Sequence, residues 1–201
     1  TILVADLIAG PNGSSPQQLT NVNGTLFFTA DNGVNGRELW KSDGTAAGTA
    51  IVTDIRVGIA ESAPQFLTNV NGTLFFSATD GVNGRELWKS DGTAMGTVLI
   101  KDIRVGSSDS APQQLAGASG VLYFSASDGV NGRELWKSDG TSAGTVLVKN
   151  LNAGSAHSNP AEMTPVGSTV FFAANSGAEG RELWQTDGTA AGTTLVKDLF
   201  V

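Results

Sequence analysis

The sequence predicts an all-β fold: a β-propeller of four four-stranded antiparallel blades, or half of a larger ring. Three observations predict it. Arg-Glu-Leu-Trp occurs four times, beginning at Arg37, Arg85, Arg133 and Arg181, each copy 48 residues after the last. A period of this length matches a four-stranded blade and exceeds that of ankyrin or leucine-rich units. Between the apolar runs, the 26 glycines fall at repeat-periodic positions, the pattern of many tight turns rather than of a flexible linker.

The third unit shows how one repeat reads. Residues 112–115 (Pro-Gln-Gln-Leu) open a short first strand, and Ser119-Gly120 divides it from the run 121–126. The equivalent dipeptides are Asn23-Gly24, Asn71-Gly72 and Gly167-Ser168, all suited to the positive φ of two-residue hairpins. A loop with two glycines, 128–132, precedes a third strand at 133–137, and a turn at 139–144 precedes a fourth at 145–149. β-Branched and aromatic residues dominate these runs, which argues against helix.

Three connections inside the unit are short, so its strands form a meander. The connection after the fourth strand is the longest. Passing from the outermost strand of one blade to the innermost of the next crosses about 14 Å, three strand spacings, and only the long connection spans it comfortably. The blade units therefore run approximately 8–55, 56–103, 104–151 and 152–199, with the Pro-Gln-x-Leu segment innermost. Counting strands exposes a surplus: the outer-strand pattern occurs five times, at 1–7, 50–55, 98–103, 146–151 and 194–199. Residues 1–7 are an extra copy, expected to be unpaired, swapped to a partner or reused at a junction, since a free edge invites a further strand.

Composition narrows the function classes. About 200 residues can bury about 70% of their unfolded surface without staples. There is no cysteine, which excludes a disulfide framework, thiolate-ligated zinc and a thiol nucleophile. No apolar run reaches the roughly 20 residues of a membrane helix, so membrane insertion is not expected, and the chain reads as soluble. It opens on Thr1, as a mature or excised segment would. Twelve basic and 19 acidic residues give a net charge of −7, with Lys and Arg spread through the repeats, so nucleic acid is not an expected partner.

The run Glu-Leu-Trp-Lys-Ser-Asp-Gly-Thr, at 38–45, 86–93 and 134–141, resembles the bacterial repeat family named for its motif, ELWxxDGT. The last copy, 182–189, changes the two variable positions and keeps the fixed ones. The resemblance covers essentially the whole chain. It implies a tandem array from secreted or surface-attached bacterial proteins, an extracellular location, and a binding, adhesion or scaffolding role without enzymatic activity. It supplies no ligand. Copies one to three are identical from Gly-Val-Asn-Gly through Asp-Gly-Thr, as recent duplication or consensus design would leave them.

Candidate chemistry is sparse. His157 is the single histidine and falls in an interblade loop; no nucleophile-elbow, phosphate-loop or metalloprotease spacing occurs. Glu38, Glu86, Glu134 and Glu182 recur once per blade, and equivalent positions do not readily provide the unlike environments that separate a general acid from a base. No catalytic residue is expected. Calcium is the sharper candidate ligand: Asp80, Asn83 and Glu86, and likewise Asp128, Asn131 and Glu134, place three oxygen donors around a glycine-rich turn. Against it, an arginine intervenes and the fourth copy has Ser176 and Glu179 at the first two positions. The plainer reading is turn chemistry, with Arg37, Arg85, Arg133 and Arg181 each paired to a nearby carboxylate.

Asp43, Asp91, Asp139 and Asp187 precede Gly-Thr in every copy, as structural acceptors for turn amides would. Trp40, Trp88, Trp136 and Trp184 supply one large ring per blade. Packing between blades is the first reading; exposed in the grooves, they would form weak multivalent sugar sites. The expected function is thus a non-catalytic extracellular module contacting a glycan or surface protein, lectin-like in its multivalency. The alternative is a structural segment that self-associates through its surplus strand; a calcium-dependent binder or a hydrolase ranks below both.

Overall fold

A computed structural model describes residues 1–198. Among these residues there are sixteen strands and no helix, arranged as four antiparallel sheets of four. The first blade comprises β1 (Gln17–Val22), β2 (Thr25–Asp31), β3 (Arg37–Ser42) and β4 (Ala50–Thr53). The second holds β5 (Gln65–Val70), β6 (Thr73–Thr79), β7 (Arg85–Ser90) and β8 (Val98–Lys101). The third holds β9 (Gln113–Ala118), β10 (Val121–Ser127), β11 (Arg133–Ser138) and β12 (Val146–Lys149). The fourth holds β13 (Ala161–Val166), β14 (Thr169–Asn175), β15 (Arg181–Thr186) and β16 (Thr194–Lys197). Each is a meander in sequence order, the predicted blade.

The hairpin dipeptides take the backbone their residue types permit. Asn23 and Gly24 have φ of 51° and 86°, and Asn71-Gly72 and Ser119-Gly120 follow suit, the doubly positive signature of type I′ turns. The first strand begins later and runs longer than predicted, at Gln113–Ala118 rather than 112–115. A bulge explains it: the pairing shifts register between Tyr123 and Ser125, and Gln114 lies at φ 58°. Gln18, Phe66 and Glu162 repeat that left-handed backbone, which side-chain-bearing residues adopt only at a cost.

Inner strands stand side by side, β1 beside β5, β5 beside β9 and β9 beside β13. Three equivalent cores fill the gaps. In the first, Val22, Phe27, Leu39 and Val52 of one blade meet Leu67, Leu74, Phe76, Ala78 and Trp88 of the next. The second and third repeat the pattern with Phe75 and Leu87 against Phe124 and Trp136, then Tyr123 and Leu135 against Phe172 and Trp184. β13 does not return against β1 in this way, so the four blades form an open arc.

Residues 1–7, the surplus outer strand, join no ladder. Ile2 and Leu3 are 87% and 78% exposed, while Leu7 packs beside Phe28, Ala30 and Trp40 of the first blade. The fifth outer strand is β16; Leu199, the last residue of its predicted span, lies outside the described residues.

Candidate functional site

Among the described residues, three of the four repeated glutamates are fully buried. Glu38, Glu86 and Glu134 each lie at the start of a third strand, against the connection to the next blade, and each is 0% exposed. Glu86 accepts from Ser110 N (2.9 Å), Ser110 Oγ (2.5 Å) and Ile103 N (3.0 Å). Glu38 repeats the set with Ser62 and Ile55, and Glu134 with Ser158 and Leu151. The serine faces both ways, because its carbonyl accepts from the following blade: Thr79 N to Ser62 O, Ser127 N to Ser110 O, Asn175 N to Ser158 O. Each long connection is thereby latched to the blade it leaves and to the blade it enters.

Burial raises these carboxyls, and the serine and backbone donors oppose it only in part. Glu38 is pushed up from 4.5 to about 6 and Glu86 from 4.5 to about 7, with Glu134 raised for the same reason. A native pKa above the unfolded one means that the folded chain holds the proton longer. The stabilisation is complete below the unfolded value and is lost as pH rises through about 6 to 7. The turn aspartates, lowered by their threonine partners, act oppositely, losing their contribution only below 3.8. Urea unfolding is therefore expected to show stability falling by on the order of 2–4 kcal/mol from about pH 5 to about pH 8, discounted for solvent relaxation. A flat or rising profile over that range would refute the assignment.

The other predicted residues fall into local structural roles. Asp91 Oδ1 accepts from Thr93 N and Oγ1 at 2.8 and 2.7 Å, and Asp43, Asp139 and Asp187 do the same with Thr45, Thr141 and Thr189. The arginines correct an expectation. Their guanidinium groups donate to main-chain carbonyls rather than to carboxylates: Arg37 to Ser15 O, Arg85 to Ala63 O and Ser77 O, Arg133 to Ala111 O and Ser125 O, Arg181 to Asn159 O. They bind the start of each inner strand to its own blade.

The proposed calcium set separates. Asp80 Oδ1 accepts from Val82 N and Asn83 N, and its Oδ2 from Asn83 Nδ2. Asp128 and Asn131 close the same turn. Glu86 and Glu134 point away into the latch, so loop and strand offer no common oxygen cage. Among the described residues, no group of three or more His, Asp or Glu side chains is placed to hold a metal ion. His157 Nδ1 accepts from Arg133 N at 2.7 Å, where Asp109 accepts from Arg85 N in the preceding blade; the imidazole substitutes for a carboxylate acceptor.

Trp40, Trp88, Trp136 and Trp184 are 6 to 9% exposed; the last three belong to the interblade cores, and Trp40 packs with Phe28, Ala30 and Leu7 on the outer face of the first blade, so no indole face lies open in a groove for a sugar. Lys149 Nζ sits 6.0 Å from the Trp184 ring centroid, across the third interface, a cation–π contact between blades. Sequence reading missed the latch serines Ser62, Ser110 and Ser158. Their signal was a constant offset of 24 residues from each glutamate, with Ser14 in the same phase.

A concavity lies on the open face of the first blade. It has a volume of about 410 Å³ and is lined by Leu3, Val4, Leu7, Leu19, Leu26 and Phe28, with Ser42, Asp43, Gly44 and Thr49 at one side. The fourth blade ends the arc on its opposite side. There Leu183 is 45% exposed and Val196 44%, whereas Leu135 and Val148, their third-blade equivalents, are 0% and 6%.

No family profile and no curated protein matches the chain. Solved structures do. A puromycin hydrolase (S511A mutant complexed with PGG) superimposes with a TM-score of 0.60 at 17% identity, over 90% of this chain and 28% of that one. A puromycin-hydrolyzing peptidase of Mycobacterium tuberculosis gives 0.57 at 14% identity, over 95% and 30%. The computationally designed Ika8 protein gives 0.50 at 17% identity, over 97% and 51%. The chain thus spans under a third of the hydrolases it resembles. The likeness establishes the β-propeller fold, and at this identity it speaks to fold and not to catalysis.

Proposed function

We propose that this chain is a non-catalytic binding or scaffolding module working outside the cell. The observation that carries the reading is where the repeated polar groups are spent. Glu38, Glu86 and Glu134 each accept three internal hydrogen bonds, and the turn aspartates are bound to their own threonines. General acid–base work needs paired groups that reach a substrate, and these are committed to architecture. The resemblance to ELWxxDGT repeats supports the extracellular location and a binding or scaffolding role, and it supplies no ligand. The likeness to hydrolases is one of fold and supplies no argument for catalysis in this chain.

With the tryptophans buried, glycan contact falls to exposed loops, which carry recognition on repeat scaffolds. Glycan and surface-protein arrays probed with the 201-residue chain are expected to give saturable binding that the matching free ligand competes away. Turnover of a peptide or glycoside substrate would overturn the non-catalytic reading. A second reading, a structural segment whose partners are copies of itself, is favoured by the two apolar faces left open at the ends of the arc; silent arrays together with assembly in solution would select it.

A further inference from the structure

We propose that two copies of this four-blade unit dock end to end, the open face of the fourth blade of each against the open face of the first blade of the other, closing a ring of eight blades. The inference rests on the fold and not on the ligand reading above, and its test reads mass, so the two fail separately.

The two faces are the halves of an interface the chain already makes three times. In the first internal gap a Val-Phe-Leu-Val surface meets a Leu-Leu-Phe-Ala-Trp surface, and the other two repeat it with apolar exchanges: Ile100 in the second, and Ala118, Tyr123, Met163 and Val170 in the third. The fourth blade presents the first kind unpaired: Val166 is 58% exposed where Val22 and Val70 are 6%, and Leu183 is 45% exposed where Leu39, Leu87 and Leu135 are 0%. The first blade presents the second kind, with Leu19 at 63% exposure where its counterpart Leu67 is at 9%, while Phe28, Ala30 and Trp40 lie under the segment that carries Leu7 instead of under a sheet. Continuing the same heterologous contact is the simplest way to cover both.

Polar groups match as well. Glu182 has no latch serine among the described residues and is only half-buried, whereas Glu38, Glu86 and Glu134 all have one. Ser14 is the converse. Its carbonyl already accepts from Asp31 N at 3.0 Å, as the other latch serines serve their following blades, yet no glutamate reaches it. Lys101 and Lys149 donate to Thr145 O and Thr193 O of the next blade at 2.8 Å; Lys197 and Thr49 stand in the same phase at the two ends. One latch is weaker. Lys41, Lys89 and Lys137 bond to Gly92, Gly140 and Gly188 of the next blade, and the fourth blade has the shorter Gln185 there.

Ring size follows from counting. Propellers typically close with about four to eight blades, so copies of a four-blade unit close at four or at eight. The arc does not close on itself, which leaves eight. The groove on the first blade is partly filled by Leu3 and Val4, whose repeat equivalents are outer-strand residues of a preceding blade; docking places the partner's β16 there and moves residues 1–5 aside.

Sedimentation velocity on the 201-residue chain tests this. The expected mass is twice 20.6 kDa at micromolar concentration. Leu183→Arg and, independently, Val196→Glu change residues exposed in the single arc, and each is expected to return the chain to one mass unit with its strand circular dichroism intact. A wild-type chain of single mass at about 100 μM overturns the proposal and assigns the faces to another partner, such as further repeats. A ladder of masses overturns the closed ring, and a dimer unaffected by both substitutions overturns the interface.

Discussion

Glu86→Ala is expected to destabilise the fold by about 2–5 kcal/mol, read as a shift of the urea midpoint at fixed slope. The cost arises from what the carboxylate leaves behind. Ser110 N and Ile103 N, both buried, lose their acceptor, and each orphaned amide costs about 1–3 kcal/mol. The Ser110 hydroxyl is partly spared, because Arg85 O lies 3.4 Å away as a second acceptor. Glu86→Gln keeps one acceptor oxygen and is expected to lose less, about 1–3 kcal/mol, while removing this group's share of the pH dependence. Glu182→Ala supplies the contrast: half-buried and without a latch serine, it is expected to stay within about 0.5 kcal/mol of the parent in the single arc. An Ala variant at position 86 as mild as the one at 182 would show that the latch does not tie the blades.

The difference between those glutamates marks where sequence reading reaches and where it stops. Contacts closed within a few residues were legible, because residue type and spacing determine them together. Asp-x-Thr turns and Asn-Gly hairpins are of this kind, and three of the four strands of each blade fall within a residue or two of their apolar runs. The first strand was misjudged because its bulge rests on left-handed backbone at Gln18, Phe66, Gln114 and Glu162, residue types that announce no such geometry. The arginines were misjudged because their acceptors are main-chain carbonyls, which every residue carries and no sequence pattern displays.

Longer-range relations were legible only as phase. Glutamate and serine sit 24 residues apart on different blades, and nothing in either local segment says they meet. The weak calcium set shows the same limit: the loop brings Asp80 and Asn83 together, while Glu86 is bonded to Ile103 and Ser110 of the long connection, which no local spacing displays. Ring closure was invisible too, since a repeat states that each unit meets the next alike and says nothing of the rotation between them.

Phe124→Ala is expected to cost about 3–5 kcal/mol, the range for truncating a fully enclosed phenylalanine. Its ring is 0% exposed and lies between the second and third blades, among Val70, Phe75, Leu87 and Ile100. Phe28 occupies the same place in the first blade, where its neighbour is Trp40, stacked at 6.5 Å between centroids and 29° between planes. Beyond Phe28 lies the segment 1–7 rather than a sheet. Phe28→Ala is therefore expected to cost roughly half as much, about 1.5–2.5 kcal/mol, when measured in the Leu183→Arg background that keeps the arc single. The two positions share residue type, strand and cross-strand partner, so the gap between the costs measures what an adjacent blade adds, the nearest-neighbour term that governs repeat stability. In the wild-type chain at concentrations that favour docking, the partner's fourth blade covers Phe28, and the gap is expected to narrow. Equal costs in the single arc would mean that each blade is held by its own sheet alone, and the argument for a second copy from unfilled faces would lose its energetic basis.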